Sequence, residues 1–464
     1  MNAIGASEPE TPQSSRSQAE SEDAPGKDLP LPKPRSPIGR FFGLLGPGLV
    51  TGSADDDPSG IATYAQAGAT FSNGMLWTAP VTLPMMMVVQ EMCDRTALAT
   101  GDSLGKLARR KFSRKPRVMI GILIVALLVA NTLNAAADLM AIGQGMALLG
   151  AGPGHLWSAV AGIGIAVALM TGGFKTIARI FKWLCLALLA YVAVLFVAKV
   201  DWADVVAGVL GLQFRFSLDY LGLIVAVLGT TISPYLFFWQ SEDRIEELRE
   251  EDDRAGDHAL GLKYRAAAPA RRKLREARTD VFTGMFFSVL VMFAIIAATA
   301  ATLGKNGTDV KTAADAAKAL EPIVGPAAKY LFAAGFIGSG ILAVPVLAAA
   351  GASGLAGLLG KEWGFDKQPK KAPLFYMLLG VGTIGGVVIS FFTSDPIGLL
   401  ILSAIINGIA AAPFLIVTML IARDPELMGK YRNGKLASTL GWSTTAIMVV
   451  AGAIGIWTTV SGGA

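Results

Sequence analysis

The sequence predicts an all-α integral membrane protein of eleven transmembrane helices, the first ten forming two inverted repeats of five and the eleventh standing outside them. Three observations predict this. Of the 464 residues 53% are hydrophobic and 16% charged, and the mean hydropathy is +0.53, too apolar for a water-soluble chain of this length. A window of about 19 residues divides the apolar content into eleven runs long enough to cross a bilayer. The first and sixth runs are interrupted at their middles by polar, proline-containing steps, Asp55-Asp56-Asp57-Pro58-Ser59-Gly60 and Gly229-Thr230-Thr231-Ile232-Ser233-Pro234-Tyr235. Each interrupted run is the first of a set of five. Five is odd, so the two sets cross in opposite directions.

Residues 1–40, rich in Ser, Pro, Glu and Lys and without apolar periodicity, read as a disordered cytoplasmic tail. They do not read as a signal peptide, because no charged start leads into an apolar core. Residues 41–464 read as the transmembrane domain. Its first repeat covers roughly 44–199, with runs at 44–72, 75–98, 117–149, 155–173 and 177–199. The second covers roughly 218–422, with runs at 218–240, 280–304, 325–357, 373–392 and 398–422, and the extra helix covers 436–460. Runs 117–149 and 325–357 exceed what a bilayer needs, so tilt or extension beyond it is expected. Residues 242–255 carry Glu and Arg at helical spacing and extend the sixth helix out of the bilayer.

Charge sets the orientation. Of the 40 Lys and Arg, 34 fall in the N-terminal segment and in alternate loops; the other six are Lys199, Arg215, Lys305, Lys311, Lys318 and Lys329. The positive-inside rule then predicts a cytoplasmic N-terminus and, after an odd number of crossings, an extracytoplasmic C-terminus. This asymmetry, and not nucleic-acid binding, explains the net charge of +5. Cys93 and Cys185 lie in apolar runs and form no disulfide framework, and His155 and His258 lie in loop-like stretches, which argues against a histidine-based zinc site. With no intramembrane histidine and no HExxH or GxSxG pattern, a membrane-embedded enzyme is not expected.

The two breaks carry the chemistry. In lipid a backbone group that loses its helical partner must find another, and a carboxylate needs a cavity, a partner or an ion. Pro58 removes an amide donor, and Ser59 and Gly60 tolerate unwound backbone. Asp57 and the freed carbonyls are hard oxygen ligands, suited to magnesium, calcium or manganese. Successive helix positions face different ways, so Asp55, Asp56 and Asp57 share a face only if the chain unwinds early; Asp56 is the nearest acid to balance a divalent charge. At the second break Pro234 frees carbonyls near Thr230, while Thr230, Thr231 and Ser233 offer oxygens and Tyr235 a phenol. By itself this break also fits an ordinary proline kink. Asn131, Asn134 and Asp138 share one face of the third run, as either a lane for protons or water or a helix–helix hydrogen-bond cluster. Asn407 in the tenth run is either a helix–helix contact or a coordinating amide, and Glu91 and Asp94 pair with Arg95 or nearby loop bases.

The stretch Gly46-Pro47-Gly48 followed by Asp57-Pro58-Ser59-Gly60 resembles the first helix of the NRAMP family of divalent metal transporters, whose motif there is DPGN. Gly229 to Gln240 is similar to the family's sixth helix, with its MPH motif, and Asp138-Leu139 is similar to a family Asp-Leu. The resemblance covers about residue 40 to the end. It implies a LeuT-type fold with broken helices one and six, a divalent metal ion as substrate with no cofactor, and a bacterial inner-membrane location. It further implies Asp57 as the charged ligand and the carbonyl of Thr230 or Thr231 as the sixth-helix ligand. Ser233, Asn407 and Asp56 would contribute, and Asp138 and Tyr235 would serve protons or gating. In this sequence Gly60 takes the motif's Asn position, Ser233 its Met and Tyr235 its His, and Ala141 stands near an acid position. Losing the thioether removes the soft ligand and shifts the expected cargo toward hard ions such as Mn²⁺ or Mg²⁺. Losing His and the acid predicts weak or absent proton coupling. The expected function is import of such ions by alternating access. The alternative is a sodium- or proton-coupled carrier of a small organic solute on the same fold, although acids crowding the first break would repel an anionic one.

Overall fold

A computed structural model of the protein describes residues 47–171, 200–251, 260–304, 325–393 and 395–460, with isolated positions between 192 and 196 and at 315 and 317. The expected tail at 1–40, most of the fifth run at 177–199, residues 252–255, and Cys185, Lys199, His258, Lys305, Lys311 and Lys318 lie outside the described residues. The helices are α1 (Pro47–Asp55), α2 (Pro58–Phe71), α3 (Thr78–Thr100), α4 (Leu104–Lys111), α5 (Arg114–Leu148), α6 (Gly154–Met170) and α7 (Trp202–Val209). They continue as α8 (Leu218–Thr231), α9 (Pro234–Glu251), α10 (Ala267–Thr302), α11 (Ala328–Leu359), α12 (Pro373–Ser390), α13 (Pro396–Ala422) and α14 (Lys435–Val460). Among the described residues there is no strand.

Ten of the eleven expected runs are helical, the first as α1 and α2 and the sixth as α8 and α9. One boundary differs clearly: α10 starts at Ala267 instead of near 280. The charged residues ahead of the apolar run continue the helix, with Arg272 and Glu276 paired one turn apart at 2.8 Å. Among the described residues seven spans, with α8 and α9 counted as one, are long and apolar enough to cross a membrane. Apolar side chains such as Val118, Ile122 and Val129 on α5 and Val381, Ile384 and Val388 on α12 are exposed along outer faces.

Glycines let the broken helices press into the bundle. A Cβ on Gly52 of α1 would lie 2.3 Å from the Gly284 carbonyl of α10, and one on Gly229 of α8 would lie 2.0 Å from the Ala404 carbonyl of α13. α2 packs against α8, α10 and α13. The two breaks are thereby brought together inside the bundle.

The basic loops gather at one end. Arg95 pairs with Glu91 at 3.0 Å and donates to the Tyr431 carbonyl, Lys111 pairs with Asp424, and Arg249 pairs with Asp366 at 3.0 Å. Asp94 pairs with Arg244 at 2.5 Å, not with Arg95. Arg244 also reaches Asp280 at 3.1 Å, and the Asp280 carboxylate accepts from the Gly48 amide at 2.8 Å. This buried cluster fastens α1, α3, α9 and α10 together. At the other end Trp77 donates to the Tyr220 hydroxyl at 2.9 Å.

Candidate metal site

The first break follows from its sequence. Asp57 has extended backbone (φ −67°, ψ 169°) and caps α2, its Oδ1 accepting from the Gly60 amide at 2.7 Å and the Ser59 hydroxyl at 2.6 Å. Pro58 follows at the first helical position, where a missing N–H costs nothing. The other carboxylate oxygen, Oδ2, accepts from Asn134 Nδ2 of α5 at 3.1 Å and from the Tyr235 hydroxyl of α9 at 3.3 Å. Asp57 is 1% exposed. A buried carboxylate on which four donors converge offers hard oxygens that a cation can approach.

The second break is satisfied from within. Ser233 donates to the carbonyls of Gly229 (2.7 Å) and Thr230 (2.8 Å), and Pro234 opens α9. A carbonyl has two lone pairs, so this leaves Thr230 able to accept a second partner. Ser59 and Thr230 hydroxyls lie 3.3 Å apart, joining the two breaks directly. Thr231 contacts the Tyr64 hydroxyl at 3.1 Å and bonds back to the Val227 carbonyl, away from Asp57.

The remaining predicted residues separate. Asp56 and Asp55 are fully buried and share the Ser288 hydroxyl of α10, at 3.4 and 2.5 Å, and each keeps one oxygen without a hydrogen-bond partner. Asp56 is therefore turned to α10 and not to the donors around Asp57. Asp138, one turn along α5 from Asn134, is fully buried with neither oxygen partnered. Asn131 on the same face donates to the Leu347 carbonyl of α11 at 2.8 Å, a helix–helix contact. Asn407 is buried with its Oδ1 unpartnered, beside Gly408, where α13 meets Gly229. Among the described residues no three His, Cys, Asp or Glu side chains are grouped to hold a metal, so the constellation is one carboxylate with neutral oxygens.

Sequence reasoning singled out neither Ser403 nor Ser288, and placed Asn134 only in a polar lane or a helix–helix hydrogen-bond cluster. Ser403 donates to Asn134 Oδ1 at 2.5 Å, linking α13 to the site. The available signal was a single serine within an apolar stretch of each helix, which is too common to single out.

Over 434 residues the chain is 25% identical to the divalent metal cation transporter MntH of Deinococcus radiodurans, covering 92% of each chain. It is 26% identical over 443 residues to divalent metal cation transporter MntH 1 of Pseudomonas aeruginosa, covering 91% of this chain and 92% of that one. Its fold is similar to that of the Eremococcus coleocola manganese transporter, with a TM-score of 0.72 at 15% identity over 94% of this chain and 90% of that one. A more distant likeness, TM-score 0.51 at 14% identity over 90% and 93% of the two chains, is to Mhp1, a nucleobase-cation-symport-1 family transporter. A family model, natural resistance-associated macrophage protein-like, matches from residue 48 to residue 458, a span that takes in both breaks, and the chain belongs to that Nramp family.

Proposed function

We propose that this protein is a carrier that imports divalent metal cations of the Mn²⁺ or Mg²⁺ class across a bacterial inner membrane by alternating access. The observation that carries the reading is a buried carboxylate, Asp57, at the meeting point of two broken helices, within one hydroxyl of the Thr230 break. The names of the Deinococcus and Pseudomonas relatives support the class of cargo. Asp57 is the charged ligand and the Thr230 carbonyl the sixth-helix ligand. Ser233 and Thr231 shape the second break, and Asn407 offers its unpartnered oxygen. Asp56 and Asp55 offset residual positive charge from the α10 side.

Every named oxygen is hard, which favours Mn²⁺ and Mg²⁺ over softer ions. Asp138, buried and unpartnered beside the site, is the group through which a proton would couple or gate, with Tyr235 between the two breaks. The exposed apolar faces fit hydrocarbon. The basic loops gathered at one end fit a cytoplasmic face, with the N-terminus on the same side. Proteoliposomes containing metal-sensitive and pH-sensitive dyes test the reading. Inward Mn²⁺ or Mg²⁺ flux is expected. Entry of an amino acid with exclusion of Mn²⁺, Mg²⁺ and Ca²⁺ would replace it with an organic-solute carrier.

A further inference from the structure

We infer that the Asn134 side chain is a reversible, specificity-determining ligand: its amide turns over to place Oδ1 on an ion held at Asp57, and Ser403 is the group that permits the turn. This deepens the site proposed above and rests on it.

The two oxygens of Asp57 are held differently. Oδ1 is fixed by the cap, since one of its donors is the backbone amide of Gly60. Oδ2 is held only by movable side chains, Asn134 and Tyr235. The Tyr235 hydroxyl already has a second acceptor, the Ala54 carbonyl at 3.2 Å, to which its proton can pass. Oδ2 is thus the oxygen an ion approaches, and Asn134 is the side chain that must respond.

An asparagine can respond without loss. Its terminal torsion is broad and roughly two-fold, and the amide carries donors on one side and an acceptor on the other. As it stands, Nδ2 donates to Asp57, and Oδ1 accepts from Ser403. Turned over, Oδ1 faces the ion and Nδ2 faces Ser403. The Ser403 hydroxyl has the Leu400 carbonyl at 2.8 Å as a second acceptor. It can therefore give its proton to Leu400 and accept from Nδ2, so every polar group stays satisfied in both orientations, as burial demands. Aspartate at 134 would lack the donor and add another buried carboxylate directly against Asp57; leucine would lack both groups. The first helix supplies no such oxygen from position 60, where Gly60 has no side chain and a Cβ would sit tightly, 3.1 Å from the Asp55 carbonyl and 3.3 Å from Thr230 Oγ1.

The test uses the full-length protein, with titration calorimetry of Mg²⁺, Mn²⁺ and Cd²⁺ and thermal unfolding as the folding control. Asn134→Leu is expected to weaken Mg²⁺ and Mn²⁺ binding about tenfold or more, and Asn134→Met to raise the Cd²⁺ to Mg²⁺ preference by a similar factor. Ser403→Ala should weaken binding in the same direction, and Ser403→Thr should restore it. The Ser403 pair decides the matter if the Asn134 variants do not fold. Unchanged affinities and ion preference in the Asn134 variants, or in Ser403→Ala, would overturn the inference. Asp57→Ala separates the two levels: its loss of binding beside wild-type behaviour at Asn134 defeats this inference alone, and its retention of binding defeats the site itself.

Discussion

At the first helix break the freed backbone is capped by a side chain that carries a charge; at the second it is capped by a neutral hydroxyl of its own turn. Asp57 closes α2 with one oxygen and draws Asn134 and Tyr235 from two other helices with the second. Ser233 bonds only to Gly229 and Thr230, three and four residues back. Both breaks contain proline, yet Asp57 draws donors from two other helices whereas Ser233 turns to carbonyls of its own turn. Proline opens a helix, and local hydroxyls can close the account of backbone partners. A buried carboxylate cannot be settled so locally, because two or more donors must come from elsewhere, and the convergence of those donors makes a site.

That contrast predicts unequal responses. Asp57→Ala should reduce metal uptake into proteoliposomes to the level of empty vesicles, since the carboxylate proposed as the charged ligand is gone; full flux would place the site elsewhere. Ser233→Ala should destabilise the fold by about 1–3 kcal/mol in denaturant unfolding while binding persists, because two buried carbonyls lose a donor. Ser233→Met should shift ion preference from Mg²⁺ toward Cd²⁺ or Mn²⁺, and an unchanged order of preference would confine residue 233 to a structural part. Asp138→Asn should leave equilibrium binding largely intact and flatten any pH dependence of uptake; calorimetry showing lost binding would make Asp138 a ligand.

The smallest effect belongs at the rim, away from both breaks. Burial raises the Asp424 carboxyl, but hydrogen bonds from Lys111 and from the Leu427 and Glu426 amides outweigh it and hold the group below the usual carboxylate range. A depressed carboxyl contributes stability that is present at neutral pH and lost as the pH falls through its folded value. Lys111→Ala should therefore cost about 0.2–1 kcal/mol near neutrality and lessen the acid sensitivity of thermal unfolding, with metal affinity unmoved.

The breaks were legible because Asp57-Pro58 and Ser233-Pro234 are local signals: a polar residue followed by one without an amide hydrogen. The apolar runs were legible for the same reason, and their helices begin and end close to expectation. The start of α10 was not, because hydropathy sees where apolar residues begin and not where a charged helix does. The direction of Asp56 was also hidden. Adjacent acids differ by their rotation about the chain, and which one meets α10 depends on where the helix stops winding.

The sequence alone determined the all-helical architecture, the positions of the two breaks and the presence of acids at the first, since each depends on residues near one another in the chain. Only the tertiary structure decided that Asn134 rather than Asp56 touches Asp57, that Ser403 stands behind it, and that Ser233 turns to its own carbonyls. The physical reason is the low dielectric of the bundle interior. There each polar group must find a partner, and which one it finds depends on how the helices pack.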